Sequence, residues 1–151
     1  MDVDVLLENA RPEVLDEAFA TLESSHLAHY EAAGEPFTRQ RLADLYDLVV
    51  TALRERDLSP VVTYAREVAD ERFNGGFDIS EVQTAFNSLE AAMWRRLVAD
   101  EVPTELPEAI GLLSTVLGAG KDSLARTYVS LAGDRHVPSL DLSALFRGTD
   151  S

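Results

Sequence analysis

Residues 65–90 read AREVADERFNGGFDISEVQTAFNSLE and contain the clearest folding signals of the chain. The Asn-Gly-Gly run at residues 74–76 tolerates the left-handed conformation in which helices commonly end, so it predicts a helix C-terminus. Asp78 and Glu81 have the spacing of a capping box, which predicts that the next helix begins directly afterwards. These residues therefore predict two helices that turn back on each other around the paired glycines.

Amphipathic periodicity extends from this turn in both directions. The helix after the turn repeats apolar residues at alternating three- and four-residue steps, a pattern typical of a bundle seam: Ile79, Val82, Phe86, Leu89, Met93 and Leu97. No run alternates with the period of a strand. We predict an all-α fold with five main helices in a globin-like or antiparallel bundle packing, over residues 12–33, 38–57, 59–74, 78–101 and about 107–133. They form one domain, 1–135, followed by a short helical tail, 136–151.

Composition excludes several classes of protein. The chain has 151 residues, 46% of them hydrophobic, and no cysteine, which removes disulfides, thiolate zinc sites and cysteine nucleophiles. Its longest nearly apolar run, residues 110–120, is far shorter than the ~20 residues of a membrane helix. The N-terminus is acidic where a signal peptide would be basic. We therefore predict a cytoplasmic protein, with no membrane partner.

A net charge of −14 argues against a nucleic-acid partner, because binding to phosphates depends on clustered lysine and arginine. The sequence also contains no glycine-rich phosphate loop, no nucleophile elbow and no His-Glu-x-x-His motif. We predict a protein that is not an enzyme and has no cofactor.

Two histidines lie three residues apart on the inner stripe of the first predicted helix. His26 and His29 could share a metal, but zinc or iron needs three or four ligands and only His136 remains. A haem would need a proximal histidine late in the chain, and residues 78–134 contain none. We interpret both imidazoles as structural, hydrogen-bonded to the backbone or to a carboxylate, with proton sensing as an alternative.

Arg72 lies on the apolar face of the third predicted helix. A charge on that face needs a partner, since stranding a buried charge costs several kcal/mol. We predict that Arg72 pairs with an acid of the first or the fourth predicted helix. The best-placed acid is Glu90, on the edge of the fourth helix, with Gln83 on the same helix. Arg72 is therefore interpreted either as a buried clamp on the hairpin or as an arginine that binds an anion or another ligand.

Three further features indicate surfaces. Trp94 lies off the helical seam, where a lone tryptophan is either a residue of the core rim or an interface anchor. Gly118 and Gly120 interrupt the last main helix and permit a kink or a close approach of backbone to a neighbour. In the tail, Leu145 and Phe146 either dock on the bundle or contact a partner.

Residues 61–97 resemble the N-terminal domain of the RsbT co-antagonist (RsbRD-type) family of bacterial stress regulators. The residues that carry this resemblance are Ala69-x-x-Arg72, Gly76-Phe77-Asp78-Ile79-x-Glu81-Val82-Gln83-x-Ala85-Phe86, Leu89-Glu90 and Trp94. The flanking helices match in length and pattern only, up to Tyr128. The resemblance implies a sensory or protein-interaction module, often dimeric, of non-haem globin-like or bundle form.

Such modules usually precede an output domain, either a STAS domain or a helix-turn-helix regulator. Only a short tail follows Asp134 in this sequence. The resemblance therefore implies either a stand-alone member of the family or a fragment of a longer regulator.

Together these features predict a non-enzymatic signalling domain that binds a protein partner. The first expectation is that this partner is a second copy of the chain, so that a homodimer forms. The predicted surface is the exposed face of the last two main helices, with Trp94 and the Gly118 to Gly120 notch. The alternative is a sensor of pH or of a small apolar ligand, with Arg72, Tyr64, His26 and His29 as its polar contacts. That alternative requires an inter-helix pocket above ~300 Å³.

Overall fold

The computed structural model describes residues 2–135, and these residues form seven helices with no strand among them. The all-α class is confirmed, whereas the predicted count of five main helices is too low. The helices are α1 (Val3–Asn9), α2 (Arg11–Ser24), α3 (Ala28–Ala33), α4 (Glu35–Glu55), α5 (Ser59–Asn74), α6 (Ile79–Asp100) and α7 (Leu106–Arg135).

The first predicted helix is broken into α2 and α3. The Ser24 and Ser25 hydroxyls both donate to the Thr21 carbonyl, at 2.7 and 3.2 Å, and His26 has a left-handed backbone with φ +50°. Serine hydroxyls that bond to the backbone compete with helical hydrogen bonding, which favours a helix end here. The prediction of one helix over residues 12–33 is therefore wrong, and His26 and His29 do not share a helical stripe.

The turn after α5 is a Schellman motif. Gly75 has an ordinary φ of −81°, and Gly76 adopts the left-handed φ of +83°. The Gly76 N–H donates to the Phe73 carbonyl at 3.1 Å, and the Phe77 N–H donates to the Arg72 carbonyl at 2.9 Å. Of the two glycines, only the second needs the conformation that glycine tolerates best.

The start of α6 carries the predicted capping box. Asp78 caps the helix, and its own N–H donates to a Glu81 carboxylate oxygen at 3.0 Å. The Tyr128 hydroxyl of α7 donates to the Phe77 carbonyl at 3.1 Å, so a third helix holds the turn in place.

Helix α7 makes contact with both α5 and α6, and its contact with α5 is the most extensive between any two helices. Helices α5 and α6 touch each other little on either side of the turn that joins them. Gly120 lies where the three helices meet. A Cβ atom on Gly120 would lie 3.0 Å from Val61 Cγ1 and 3.5 Å from Phe86 Cε2. The backbone at Gly120 therefore lies against side chains of α5 and α6.

The core of the described residues has contributions from all seven helices. Every predicted seam residue of α6 is buried except Ile79, which is half-buried against the core. Among residues 2–135 no helix is both long and apolar enough to cross a membrane. The choice between globin-like and antiparallel bundle packing stays a prediction.

Candidate functional site

Arg72 is buried inside the protein, with only 2% of its surface exposed. Its place on the inner face of α5 is as predicted, but its ion partner is not. Arg72 Nη1 donates to Glu71 Oε1 at 2.6 Å, and the Glu71 side chain is about half exposed. The guanidinium is thus buried while the carboxylate that balances it reaches solvent.

Glu90 pairs with α7. Lys121 Nζ lies 2.9 Å from Glu90 Oε1 and also donates to Asn87 Oδ1 at 3.2 Å. The predicted pairing of Arg72 with Glu90 is therefore wrong. The prediction fails because α7 packs extensively against α5 and also contacts α6. Lys121 of α7 is therefore the cation that reaches Glu90.

Three aromatic rings surround the Arg72 guanidinium. Its Cζ atom lies 4.7 Å from the centre of the Phe37 ring, 5.5 Å from that of Phe77 and 6.0 Å from that of Tyr30. Ring faces attract cations within about 6 Å, and the attraction strengthens where water is excluded. We call Arg41, Arg72 and these three rings the arginine–aromatic cluster.

Arg41 of α4 is the second cation of the arginine–aromatic cluster. Its Cζ lies 5.1 Å from the Phe37 ring, and its Nη2 lies 3.7 Å from Glu71 Oε1. Its Nη1 donates to Asp44 Oδ2 at 3.2 Å. Arg41 and Arg72 therefore share one ring and one carboxylate, which brings two positive charges close together inside the helical domain.

A small cavity lies beside both guanidinium groups. The volume of this cavity is about 20 Å³. Its polar lining comes from Arg41, Arg72, Tyr30, Thr38 and Tyr64, and the remaining walls are apolar. The Nε atoms of both arginines are buried, and neither donates a hydrogen bond to an acceptor among residues 2–135.

The two tyrosines of this cavity hold their protons. Burial raises the pKa of Tyr64 to about 12. Burial also raises the pKa of Tyr30, and the neighbouring Arg72 guanidinium opposes part of that rise. Both hydroxyls are therefore neutral at physiological pH. The polar part of the lining is thus two cations and three neutral hydroxyls.

A second polar contact joins α3 to the start of α6. The backbone N–H of His29 donates to Glu81 Oε2 at 3.0 Å, and its Nδ1 lies 2.7 Å from Glu81 Oε1. His29 thus has the carboxylate partner expected of a structural imidazole. Burial raises the pKa of Glu81, but the hydrogen bonds from Asp78 and His29 outweigh it and leave that pKa below its ordinary value.

His26 is exposed, and its Nδ1 lies 3.1 Å from Glu31 Oε1. In the described part of the chain, no three histidine, aspartate or glutamate side chains are grouped to hold a metal ion. A surface groove of about 310 Å³ is lined by His26 and Tyr30, among others. Tyr64 and Arg72 line the small cavity instead, so the polar contacts proposed for a ligand pocket are divided between two spaces.

The outer side of α6 carries three large apolar side chains close to half exposed. Trp94 is 44% exposed, Val98 49% and Val102 47%. They recur every fourth residue, on α6 and just beyond its end, and we call them the outer stripe. Gln83, half-buried, lies nearer the start of α6.

Gly118 of α7 is exposed, and no atom lies within 4 Å of the position that a Cβ would take. It precedes Lys121 by almost one turn, and Lys121 contacts Glu90 on α6. Five residues join α6 to α7, and α7 runs back along α6. Gly118 comes before Lys121 on α7, so it lies nearer to Trp94 than Lys121 does. Leu145, Phe146, His136 and the boundary between residues 135 and 136 lie outside the described residues.

The family described as the RsbT co-antagonist protein rsbRD N-terminal domain matches residues 12–136. The chain belongs to this family. The resemblance carried by residues 61–97 is thereby confirmed, and it extends over most of the sequence. The RsbRD-type domain is a regulatory domain of bacterial stress signalling. No curated protein and no solved structure matches the chain.

Sequence reasoning missed most of the surroundings of Arg72 in this RsbRD-type domain. One signal was present, because Thr38, Arg41 and Leu45 follow at three- and four-residue steps and therefore share the inner face of α4. Tyr30 falls on the apolar stripe of the first predicted helix, but the spacing of Tyr30 and Phe37 gives no link between either ring and Arg72. They lie on either side of Gly34, whose φ of +96° sets the angle between α3 and α4.

Proposed function

We propose that this RsbRD-type domain is a non-enzymatic regulatory module that acts by binding protein, and that its partner is a second copy of the chain. The observation that supports the proposal is the outer stripe. Large apolar side chains that lie together on a surface mark interaction sites more often than isolated ones do. Tryptophan is also enriched among the residues that contribute most to binding energy.

The order of residues along the outer stripe suits a two-fold interface. Trp94 precedes Val98 by four residues, and Val102 follows it by four. Trp94 and Val98 lie one turn apart on α6, whereas Val102 follows the end of the helix at Asp100. A two-fold axis between Trp94 and Val98 would place each Trp94 beside the partner's Val98, and the same contact would occur twice. Such self-complementary pairing is the commonest way in which soluble proteins form dimers. The open space beside Gly118 leaves room for a large side chain to approach α7.

Sedimentation equilibrium of the whole chain tests this proposal. We expect a dimer for the wild type and a dissociation constant at least about tenfold higher for Val98→Lys, equivalent to about 1.4 kcal/mol. A lysine near the C-terminal end of α6 interacts favourably with the helix dipole, so the substitution should not weaken the monomer. The matched control is Val129→Lys on α7, because Val129 is 71% exposed and lies outside the outer stripe.

Trp94 is the single tryptophan of the chain and gives a second readout. Its emission should shift to longer wavelength on dilution, as the indole becomes exposed to water, and should do so at the concentration where sedimentation shows dissociation. A wild type that stays monomeric up to about 1 mM, where binding is worth only about 4 kcal/mol, would contradict the proposal. Equal dissociation constants for Val98→Lys and Val129→Lys would contradict the choice of surface.

A further inference from the structure

We propose that the cavity between Arg41 and Arg72 binds one compact monovalent anion, of the size of chloride, bromide or nitrate. The proposal concerns the interior of the domain and does not depend on dimerisation. It rests on the two buried Nε atoms, on the position of the carboxylates around them and on the size of the space beside them.

The donors of this cavity outnumber its acceptors. A guanidinium is always charged and has five N–H bonds but no acceptor. Leaving a buried charged donor without a partner costs more than leaving a neutral one. Both Nε–H groups are buried without a partner among residues 2–135, and both arginines line the cavity. A guest that accepts hydrogen bonds would satisfy them.

The carboxylates near these arginines contact the terminal nitrogens of each guanidinium and not its Nε atom. Asp44 contacts Nη1 of Arg41, while Glu71 contacts Nη1 of Arg72 and lies 3.7 Å from Nη2 of Arg41. The Asp44 and Glu71 side chains are themselves partly exposed, so solvent screens their charge. The Nε–H groups thus keep donors that neither carboxylate contacts.

The other walls of the cavity strengthen the attraction for an anion. They are formed by apolar side chains from four helices: Leu22, Leu42, Leu45, Val68, Ala85 and Phe86. A hydrogen bond to a charge is stronger in such surroundings than in water. Tyr30 and Tyr64 are neutral and so do not repel a negative guest.

The size of the cavity limits the guest. One water molecule needs roughly 10 to 15 Å³ of space for its centre, and the cavity offers about 20 Å³. That is room for one compact ion or one or two waters. A polyhydroxy carboxylate such as gluconate is far too large, and it therefore serves as a non-binding anion in the test.

Thermal unfolding of the whole chain at constant ionic strength tests the proposal, with sodium chloride replacing sodium gluconate stepwise. Constant ionic strength matters because screening alone stabilises a chain of net charge −14. We expect a saturable rise in Tm of roughly 3 to 6 °C at a chloride concentration about ten times the Kd. Bromide and nitrate should behave in the same way.

The variants Arg41→Met and Arg72→Met should both lose this rise in Tm. Arg41 is only partly buried, so its variant keeps the test valid if Arg72→Met does not fold. The matched control is Arg66→Met, which removes the same charge from the exposed side of α5 and should keep the full rise. A rise that persists in Arg41→Met would place the anion elsewhere and overturn the proposal.

A crystal grown in sodium bromide gives an independent readout. An anomalous bromide peak within about 3.5 Å of the Nε atoms of Arg41 and Arg72 would support the site. A water in that position, together with no dependence of Tm on chloride, would show that the cavity is filled by solvent and would overturn the proposal.

Discussion

The arginine–aromatic cluster and the outer stripe are opposite departures from the usual arrangement of a soluble protein. At the cluster, Arg72 is almost fully buried among three rings, and the partly buried Arg41 shares one of those rings with it. At the outer stripe, a tryptophan and two valines are close to half exposed. Arginine is seldom fully buried, and a large apolar patch seldom faces water without a use.

The two regions differ in whether contacts within the chain balance the buried charge or cover the apolar surface. Most of the cluster is satisfied from within the chain, by Glu71, Asp44 and the rings. Its fold therefore depends on Arg72, because removing one member of a buried charged group leaves the others unpaired. Residues 2–135 leave about half of each outer-stripe side chain exposed, so substitutions there should change association more than the stability of the monomer.

The largest effect is expected from Arg72→Ala. This substitution removes the side chain that contacts all three rings and the Glu71 carboxylate, and it opens a space in the core. We expect a loss of about 3 kcal/mol in the free energy of unfolding, measured by urea denaturation. The control Arg66→Ala, on the exposed face of the same helix, should change it by less than about 0.5 kcal/mol. Similar values for the two variants would show that the cluster does not stabilise the fold.

A smaller effect is expected at the junction of α3 and α6. Glu81→Gln removes the charge that accepts hydrogen bonds from Asp78 and His29, and it should cost about 1 to 2 kcal/mol at neutral pH. The control is Glu67→Gln, because Glu67 is exposed on α5. Equal stabilities of the two variants would contradict a joining role for Glu81.

The pH dependence of the unfolding free energy should also differ between the wild type and Glu81→Gln. The folded-state pKa of Glu81 is lower than the value of 4.5 for a free carboxyl. Its stabilising contribution is therefore complete above pH 4.5 and is lost as the pH falls through the folded-state pKa. The wild type should lose more stability than Glu81→Gln as the pH falls below 4.5, and parallel pH profiles of the two unfolding free energies would contradict this.

Two glycines of α7 should respond differently to substitution by alanine. Gly118→Ala should stabilise the protein by roughly 0.5 to 1 kcal/mol, because alanine favours the helix and the site is open. At Gly120 the new methyl would lie 3.0 Å from Cγ1 of the fully buried Val61. The gain in helix propensity is therefore offset by this close contact. Thermal unfolding should rank Gly118→Ala above Gly120→Ala, and the reverse order would contradict the packing of α7 on α5.

The smallest effect on stability is expected at the outer stripe. Val98→Thr keeps the shape of the side chain and adds a hydroxyl that solvent can reach. We expect the unfolding free energy of the monomer to change by no more than about 0.5 kcal/mol, while the dissociation constant of the dimer rises. A loss above about 1 kcal/mol in the monomer would show that Val98 belongs to the core.

Local signals in the sequence predicted local structure well. The Schellman turn at Gly76 and the capping box of Asp78 and Glu81 depend on residues that are neighbours along the chain. The burial of Arg72 followed from its helical spacing in the same way. The break at His26 escaped prediction, because apolar spacing continued through it while serine hydroxyls ended the helix.

Contacts between helices could not be predicted in the same way. Periodicity tells which face of a helix is buried but not which helix covers it. The partners assigned to Arg72 and Glu90 were wrong for that reason, since α7 packs against both α5 and α6 and Lys121 takes the place expected of Arg72. The contact between His29 and Glu81 joins residues 52 positions apart and depends on the angle that Gly34 sets.

The sequence by itself determined the helical class, the turn between α5 and α6, the burial of Arg72 and membership of the RsbRD-type family. Each of these depends on residue type and short-range spacing. Only the tertiary structure decided that Arg41 and Arg72 share a ring, a carboxylate and a cavity, and that the outer stripe faces solvent. Those features depend on how helices far apart in the chain cross one another, because the free energy that selects a crossing is the sum of many weak packing contacts.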